Sequence, residues 1–238
     1  SIKENISLEK RVAITPETAK NIISLGLKIN LEKNYAEHLG ISDKQYEDSG
    51  VKFYTSSSEV MNNSTLILKV NCPTDEEIKS LKEKNILVGI FNPSKNENKL
   101  KDISKKHISV FSLELLPRIS RAQSMDVLSS QSNLAGYRSV IESIYEFEKA
   151  VPMMMTAAGT VPAAKVLVIG AGVAGLQAIA TAKRLGAVVS ATDVRAASKE
   201  QVESLGGKFL TVEQTEDMET TGGYAKEASD EYKKKQAE

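Results

Sequence analysis

One stretch, Lys165–Arg195 (KVLVIGAGVAGLQAIATAKRLGAVVSATDVR), limits what this chain can fold into more than any other. Val166–Ile169 is four apolar, mostly β-branched residues without charge, which predicts a strand buried on both faces. Gly170-Ala171-Gly172-Val173-Ala174-Gly175 follows at once, with G-x-G-x-x-G spacing. Leu176–Leu185 predicts a helix of good formers, with Lys183 and Arg184 in its last turn and Gly186 as its stop. A second strand, Ala187–Thr192, runs into Asp193, 18 residues past Gly175.

Each piece has a physical task. Gly170 permits a tight turn, Gly172 lets the backbone approach a pyrophosphate, and Gly175 lets the helix pack on the strand. The first helical turn, Val173, Ala174 and Gly175, offers N–H groups and the positive end of the helix dipole to phosphates. Asp193, followed by Val194 and Arg195, can accept hydrogen bonds from an adenosine ribose, and its charge disfavours a 2′-phosphate. The pattern therefore favours NAD(H) over NADP(H), although Arg195 is a cation that can accommodate a 2′-phosphate. A bare G-x-G-x-x-G means little. Strand, helix and acid in register are the context that the motif requires. The alternative is a structural βαβ turn without ligand.

The rest of the chain alternates strands and helices. Thr15-Pro16-Glu17 is a helix start, stopped by Gly26, and Leu27–Leu31 is a strand. Ser42–Gln45 and Thr74–Glu77 have capping-box spacing. Leu66–Val70, Ile86–Phe91 and Ile108–Leu113 are strands, the last two separated by a Lys-rich helix. Only Ser1–Lys3 precede the first loop, so the first strand is expected to be clipped. The expected fold is α/β, with two Rossmann-like parallel-sheet domains joined by a long helix and the second truncated at its C-terminus. The divisions fall at 1–125, 126–150 and 151–238.

Composition removes several classes. With 31 Lys+Arg and 31 Asp+Glu, nothing electrostatic argues for nucleic acid or an anionic membrane. The single cysteine, Cys72, permits no intrachain disulfide and reads as a small apolar residue in a reducing compartment. His38 and His107 lack a second ligand at useful spacing, so no metal is expected. The longest apolar run, Val166–Ala182, has 17 residues including the three motif glycines, and no signal peptide is visible, so a soluble, cytoplasmic protein is expected. Met153–Met155 reads as packing at a domain junction, and the charged runs Lys95–Lys106 and Glu227–Glu238 as solvated helix faces.

Pro117–Ser130 (PRISRAQSMDVLSS) is the second informative region. It follows a strand directly, and so lies at the carboxyl end where open α/β sheets bind ligands. Arg118, Arg121, Gln123, Ser124, Asp126 and Ser129 gather within it. Asp can accept from an amide NH₂, Arg can donate to its C=O, and Gln can bridge to a hydroxyl. A nicotinamide carboxamide with its ribose is such a target; a solvated loop leading into the Ser129–Glu148 helix is the plain alternative.

Pro117–Tyr137 closely resembles the NAD(H)-binding domain of proton-translocating nicotinamide nucleotide transhydrogenase, the alpha subunit in bacteria. The resemblance covers essentially the whole chain, including Arg11–Glu17, Leu68–Pro73, the glycine loop, Ala191–Arg195 and Gly222–Glu227. The first of these is shared with alanine dehydrogenase. The resemblance implies a two-domain, homodimeric subunit that binds NADH in a cleft. It implies hydride transfer, Re/Si-specific, to NADP⁺ held by a separate subunit or domain, coupled to proton movement through a membrane domain. The chain would then lie at the cytoplasmic side of the inner membrane, peripheral to it through its partner. Arg118 and Asp126 would orient the carboxamide, Gln123 would reach the nicotinamide ribose and the facing NADP(H) site, and Ser129 would complete the loop. Tyr224 resembles the tyrosine of a loop that closes over nucleotide, and Thr220–Gly223 reads as its hinge. Such residues position reactants, so no general base is expected.

Two departures accompany the resemblance. The chain ends inside an expected helix after the first βαβαβ half, so weak folding or weak NADH binding is expected of it alone. Hydride transfer needs the NADP(H)-binding partner. An alanine-dehydrogenase-like amino-acid oxidoreductase is the first rival, because Arg11 and Lys69 fall where that relative holds a substrate carboxylate. Asn92-Pro93 stands where its acid/base histidine is expected, and no histidine lies between His38 and His107. A truncated, non-catalytic NAD(H)-binding module is the second rival.

Overall fold

The computed structural model describes residues 1–117 and 119–211. The chain divides into two compact units, Ser1–Asp126 and Val127–Glu238.

In the first unit, α1 (Pro16–Ser24) starts on the Thr15 cap, whose side chain accepts the Thr18 N–H, and ends before Gly26 in the left-handed region. β1 (Asn30–Glu32) leads to α2 (Asp43–Glu47), which carries the expected Ser42/Gln45 capping box. β2 (Lys52–Tyr54) and α3 (Ser57–Asn62) follow, neither of them marked by a clear sequence pattern. Then come β3 (Leu66–Leu68), α4 (Asp75–Ser80) with its Thr74/Glu77 box, β4 (Ile86–Gly89), α5 (Glu97–Lys105) and β5 (Ser109–Ser112). β1 pairs parallel with β2, and β3-β4-β5 form a parallel sheet. Ser1 lies between the two sets, its N–H on the Asn30 carbonyl and its hydroxyl on that of Leu68, while Ile2 is buried. These first residues form no strand.

Two apolar clusters hold this unit. Ile14, Leu31, Tyr35 and Tyr46 centre one, and the Tyr46 hydroxyl donates to the Ile14 carbonyl at 2.9 Å. Ile67, Leu87, Phe91 and Ile103 centre the other, with Cys72 packed at its edge. Burial pushes the Cys72 thiol up, which suits a packing role.

The second unit opens with the long helix α6 (Val127–Phe147). A hairpin, β6 (Met154–Thr156) with β7 (Gly159–Val161), follows and is antiparallel. This corrects the expectation for Met153–Met155: the three side chains are at least half exposed on a ribbon rather than packed at a junction. The reversal is local, with the Thr156 hydroxyl accepting the Ala158 N–H and Gly159 at φ +139°. β8 (Lys165–Ile169), α7 (Val173–Arg184), β9 (Val188–Thr192), α8 (Ser198–Ser204) and β10 (Lys208–Phe209) then build a parallel sheet in the order β10-β9-β8. That is the strand order of one half of a doubly wound nucleotide fold. β8 corrects a second expectation. Val166 and Val168 face the core, but Leu167 is 56% and Ile169 73% exposed, so among the described residues the strand is covered on one face. Successive side chains alternate across a strand, and the packed helix α7 supplies one side.

Candidate dinucleotide site

The glycine turn is built by close approach. Gly170 sits at φ +93°, a conformation in which a side chain would be strained. A Cβ on Gly175 would lie 1.8 Å from the Gly170 carbonyl oxygen, so that glycine is what lets α7 start so near the end of β8. A Cβ on Gly172, by contrast, would meet nothing within 4 Å. Open space therefore stands where backbone would face a phosphate. Gly172 is the N-cap of α7 and supplies no side-chain cap. The N–H groups of Val173, Ala174 and Gly175 lie in the first turn, where no carbonyl one turn back exists to accept them. A diphosphate fits this arrangement of donors and helix dipole.

The helix is held from behind as well. A Cβ on Gly136 of α6 would lie 2.1 Å from the Ala174 carbonyl oxygen, so α6 crosses the first turn of α7 at backbone contact. Asn133 Nδ2 donates to Gln177 Oε1 at 3.1 Å along the same seam. Sequence reasoning missed Gly136, although a glycine inside a long helix is a signal of close packing.

Asp193 follows the last residue of β9, and its carboxylate ties the site together. Oδ2 accepts the Ala171 N–H at 2.6 Å, linking the acid to the glycine turn. Oδ1 accepts the Arg195 N–H at 2.8 Å. The Arg195 guanidinium grips both oxygens, Nε on Oδ1 at 2.9 Å and Nη2 on Oδ2 at 3.0 Å. Burial pushes this carboxyl up, but the bonds from Arg195 and Ala171 outweigh it and hold the group below the usual aspartate range. Asp193 is therefore ionised at neutral pH.

The structure thus gathers Gly170–Gly175, Asp193, Val194 and Arg195 at one end of one sheet. Gln123 is exposed on a short 3₁₀ helix, Ser120–Met125, and Asp126, half-buried, closes it through its N–H to the Gln123 carbonyl. Ser129 is half-buried in the first turn of α6. Arg118 and Tyr224 lie outside the described residues.

The first unit carries its own charged knot at the end of β3. Lys69 is 4% exposed, and its Nζ donates to both oxygens of Glu77 at 2.6 Å, with a Glu4 oxygen at 3.9 Å. Glu4 Oε1 also accepts the Val70 N–H at 2.7 Å. Burial pushes the Glu4 carboxyl up, against the opposing pull of Lys69. Beside it Glu9 is bonded by Arg11 Nε at 2.8 Å and by Asn71. His38 spends its Nε2 on the Lys10 carbonyl, and His107 is exposed in the turn before β5.

A glycine turn opening an uncapped helix, with an acid at the end of the next parallel strand, defines a dinucleotide-binding α/β protein. Residues 2–135 match the family profile "Alanine dehydrogenase/PNT, N-terminal domain", and residues 139–236 match "Alanine dehydrogenase/PNT, C-terminal domain". The chain belongs to the alanine dehydrogenase/PNT family. It is similar to an NAD(P) transhydrogenase alpha-subunit chain of Rhodospirillum rubrum, at 51% identity over 99% of this chain and 63% of the relative. The crystal structure of transhydrogenase from Sinorhizobium meliloti superposes with a TM-score of 0.84 at 49% identity, covering 89% of this chain and 64% of that one. An alanine dehydrogenase of Methanococcus maripaludis is more distant, at 27% identity over 88% of this chain and 56% of that protein. The chain spans a little under two thirds of the length of these two transhydrogenase relatives. Among the described residues, no helix is long and apolar enough to cross a membrane.

Proposed function

We propose that this chain is the NAD(H)-binding component of a proton-translocating, Re/Si-specific transhydrogenase. The observation that carries this is the uncapped start of α7 beneath Gly172, with Asp193 tethered to the same turn through Ala171. The turn and helix start take the diphosphate, and Asp193 takes the adenosine ribose and selects against a 2′-phosphate. Arg118 and Asp126 orient the nicotinamide carboxamide, Gln123 reaches the nicotinamide ribose, Ser129 completes that loop, and Tyr224 closes over the nucleotide. NADH supplies a hydride from its C4 to C4 of NADP⁺, which leaves NAD⁺ and NADPH without consuming a proton at this site. The protein's role is proximity and orientation.

The partners under this reading are a second copy of the chain and a subunit that holds NADP(H) and spans the membrane. The chain itself sits on the cytoplasmic face. Support comes from the 51% identity to a relative named as a transhydrogenase alpha subunit.

An amino-acid dehydrogenase is disfavoured by the first unit. Any substrate carboxylate would have to displace Glu77 from Lys69 and Glu9 from Arg11. Asn92-Pro93 offers no proton carrier after β4. The test is reconstitution with an NADP(H)-binding partner domain, following NADH-driven reduction of an NADP⁺ analogue. Turnover is expected, and no turnover with NADH, pyruvate and ammonia. Saturable NADH binding without any transfer would make the chain a binding module instead.

A further inference from the structure

We propose that Arg195 is a removable cap on the carboxylate that reads the adenosine ribose, so that ribose binding is an exchange of donors on Asp193. This rests on the nucleotide reading above. The carboxylate already receives four donors: the Ala171 N–H, the Arg195 N–H, and the guanidinium Nε and Nη2. Two oxygens offer about four lone-pair directions, so no acceptor capacity is left over for a diol. The two backbone bonds are fixed by the chain. Ala171 belongs to the glycine turn and the Arg195 N–H is two residues from the acid. The guanidinium bonds are the only two of the four that can leave without moving the backbone. They form a fork across both oxygens, which is the pattern that a vicinal 2′,3′-diol also presents.

Charge gives the exchange a second consequence. While Arg195 grips Asp193 the two form a neutral pair, and the guanidinium side chain is 17% exposed. A neutral pair repels a 2′-phosphate less than a bare carboxylate does. The released guanidinium would in addition be a cation beside the ribose. Selection for NADH over NADPH is therefore blunted by Arg195 and supplied by Asp193.

Binding of NADH, NADPH and an NADH analogue lacking both adenosine ribose hydroxyls should be titrated against the full chain and its Arg195→Ala and Arg195→Gln variants. Arg195→Ala is expected to lower the NADH Kd by about three- to tenfold and to raise the NADPH Kd, because a charge-assisted fork no longer competes. Arg195→Gln keeps much of the side-chain length and should shift both constants the same way by less. The dideoxy analogue should gain nothing, which a general loosening of the turn would not reproduce. Wild-type binding of NADH with Arg195→Ala unchanged or weaker overturns the cap alone, as does an equal gain for the dideoxy analogue. Absence of saturable NADH binding to the wild type overturns the nucleotide reading, and the cap with it.

Discussion

Two strand ends in this molecule carry charge, and they treat it in opposite ways. At the end of β3, Lys69 is buried and closed by Glu77, with Glu4 behind it, so its charges are satisfied by one another. At the end of β8 the backbone donors of Val173, Ala174 and Gly175 face an uncapped helix start, and space stands over Gly172. Both positions are where open α/β sheets place ligands. The difference lies in what the chain has already spent. At the end of β3 the cation is closed by carboxylates, whereas beside the glycine turn the first-turn backbone donors stay open even though Arg195 is held by Asp193, and under the proposed function it is those donors that take the phosphate.

Substitutions break that comparison in a definite order. Gly175→Val puts a side chain into the Gly170 carbonyl, where even a Cβ would be 1.8 Å away, so NADH affinity should fall more than about 1,000-fold (~4 kcal/mol) in a fluorescence titration. Glu77→Ala leaves Lys69 buried with Glu4 at 3.9 Å as its remaining partner. Urea unfolding should then show a loss of about 3 kcal/mol, with the NADH Kd unchanged. Asp193→Asn should weaken NADH by about 30-fold and also lower stability, by about 1–3 kcal/mol, because the amide nitrogen replaces an oxygen that accepts one backbone N–H and one guanidinium N–H.

The smallest effect is a pH dependence. Because the folded-state pKa of Glu4 is raised above 4.5, the native state binds the extra proton in the window just above that value. Stability contributed by that proton is present at lower pH and is lost as pH rises through the folded pKa. Glu4→Gln should remove this slope, leaving the urea midpoint level with pH in the window just above 4.5. Asp193 has the opposite sign. Its pKa is lowered below 3.8, so its contribution is lost only as pH falls beneath that value, and NADH affinity should stay level from about pH 5 upward so far as this acid controls it.

How much of this is legible in the sequence follows from the range of each signal. The glycine turn, both capping boxes and the strand alternation are local patterns, and the structure carries them as expected. β2 and α3 escape because Lys52–Tyr54 is three residues long and Ser57–Asn62 is a short polar helix held by tertiary contact. An apolar run predicts burial of β8 on both faces, but which faces are covered depends on neighbours that a run does not report. The methionine ribbon departs from expectation for the same reason.

The site shows the same division. The position of Asp193 at the end of the second strand is legible from its distance to Gly175, whereas its pairing with Arg195 is a side-chain contact that spacing cannot give. The closure of Lys69 by Glu77, eight residues on, needs β3 to hand over to α4 at that angle. Gly136 needs α6 to fold back across α7, and only the contact with Ala174 assigns it a purpose.

The most direct measurement follows backbone amides during an NADH titration by heteronuclear NMR. Saturable shifts are expected at Ala171 and Gly172–Gly175 and at the Arg195 N–H, as diphosphate meets the helix start and the ribose changes the donors on Asp193. Saturable binding that leaves all of those amides unmoved would contradict the assignment of the glycine turn as the nucleotide site.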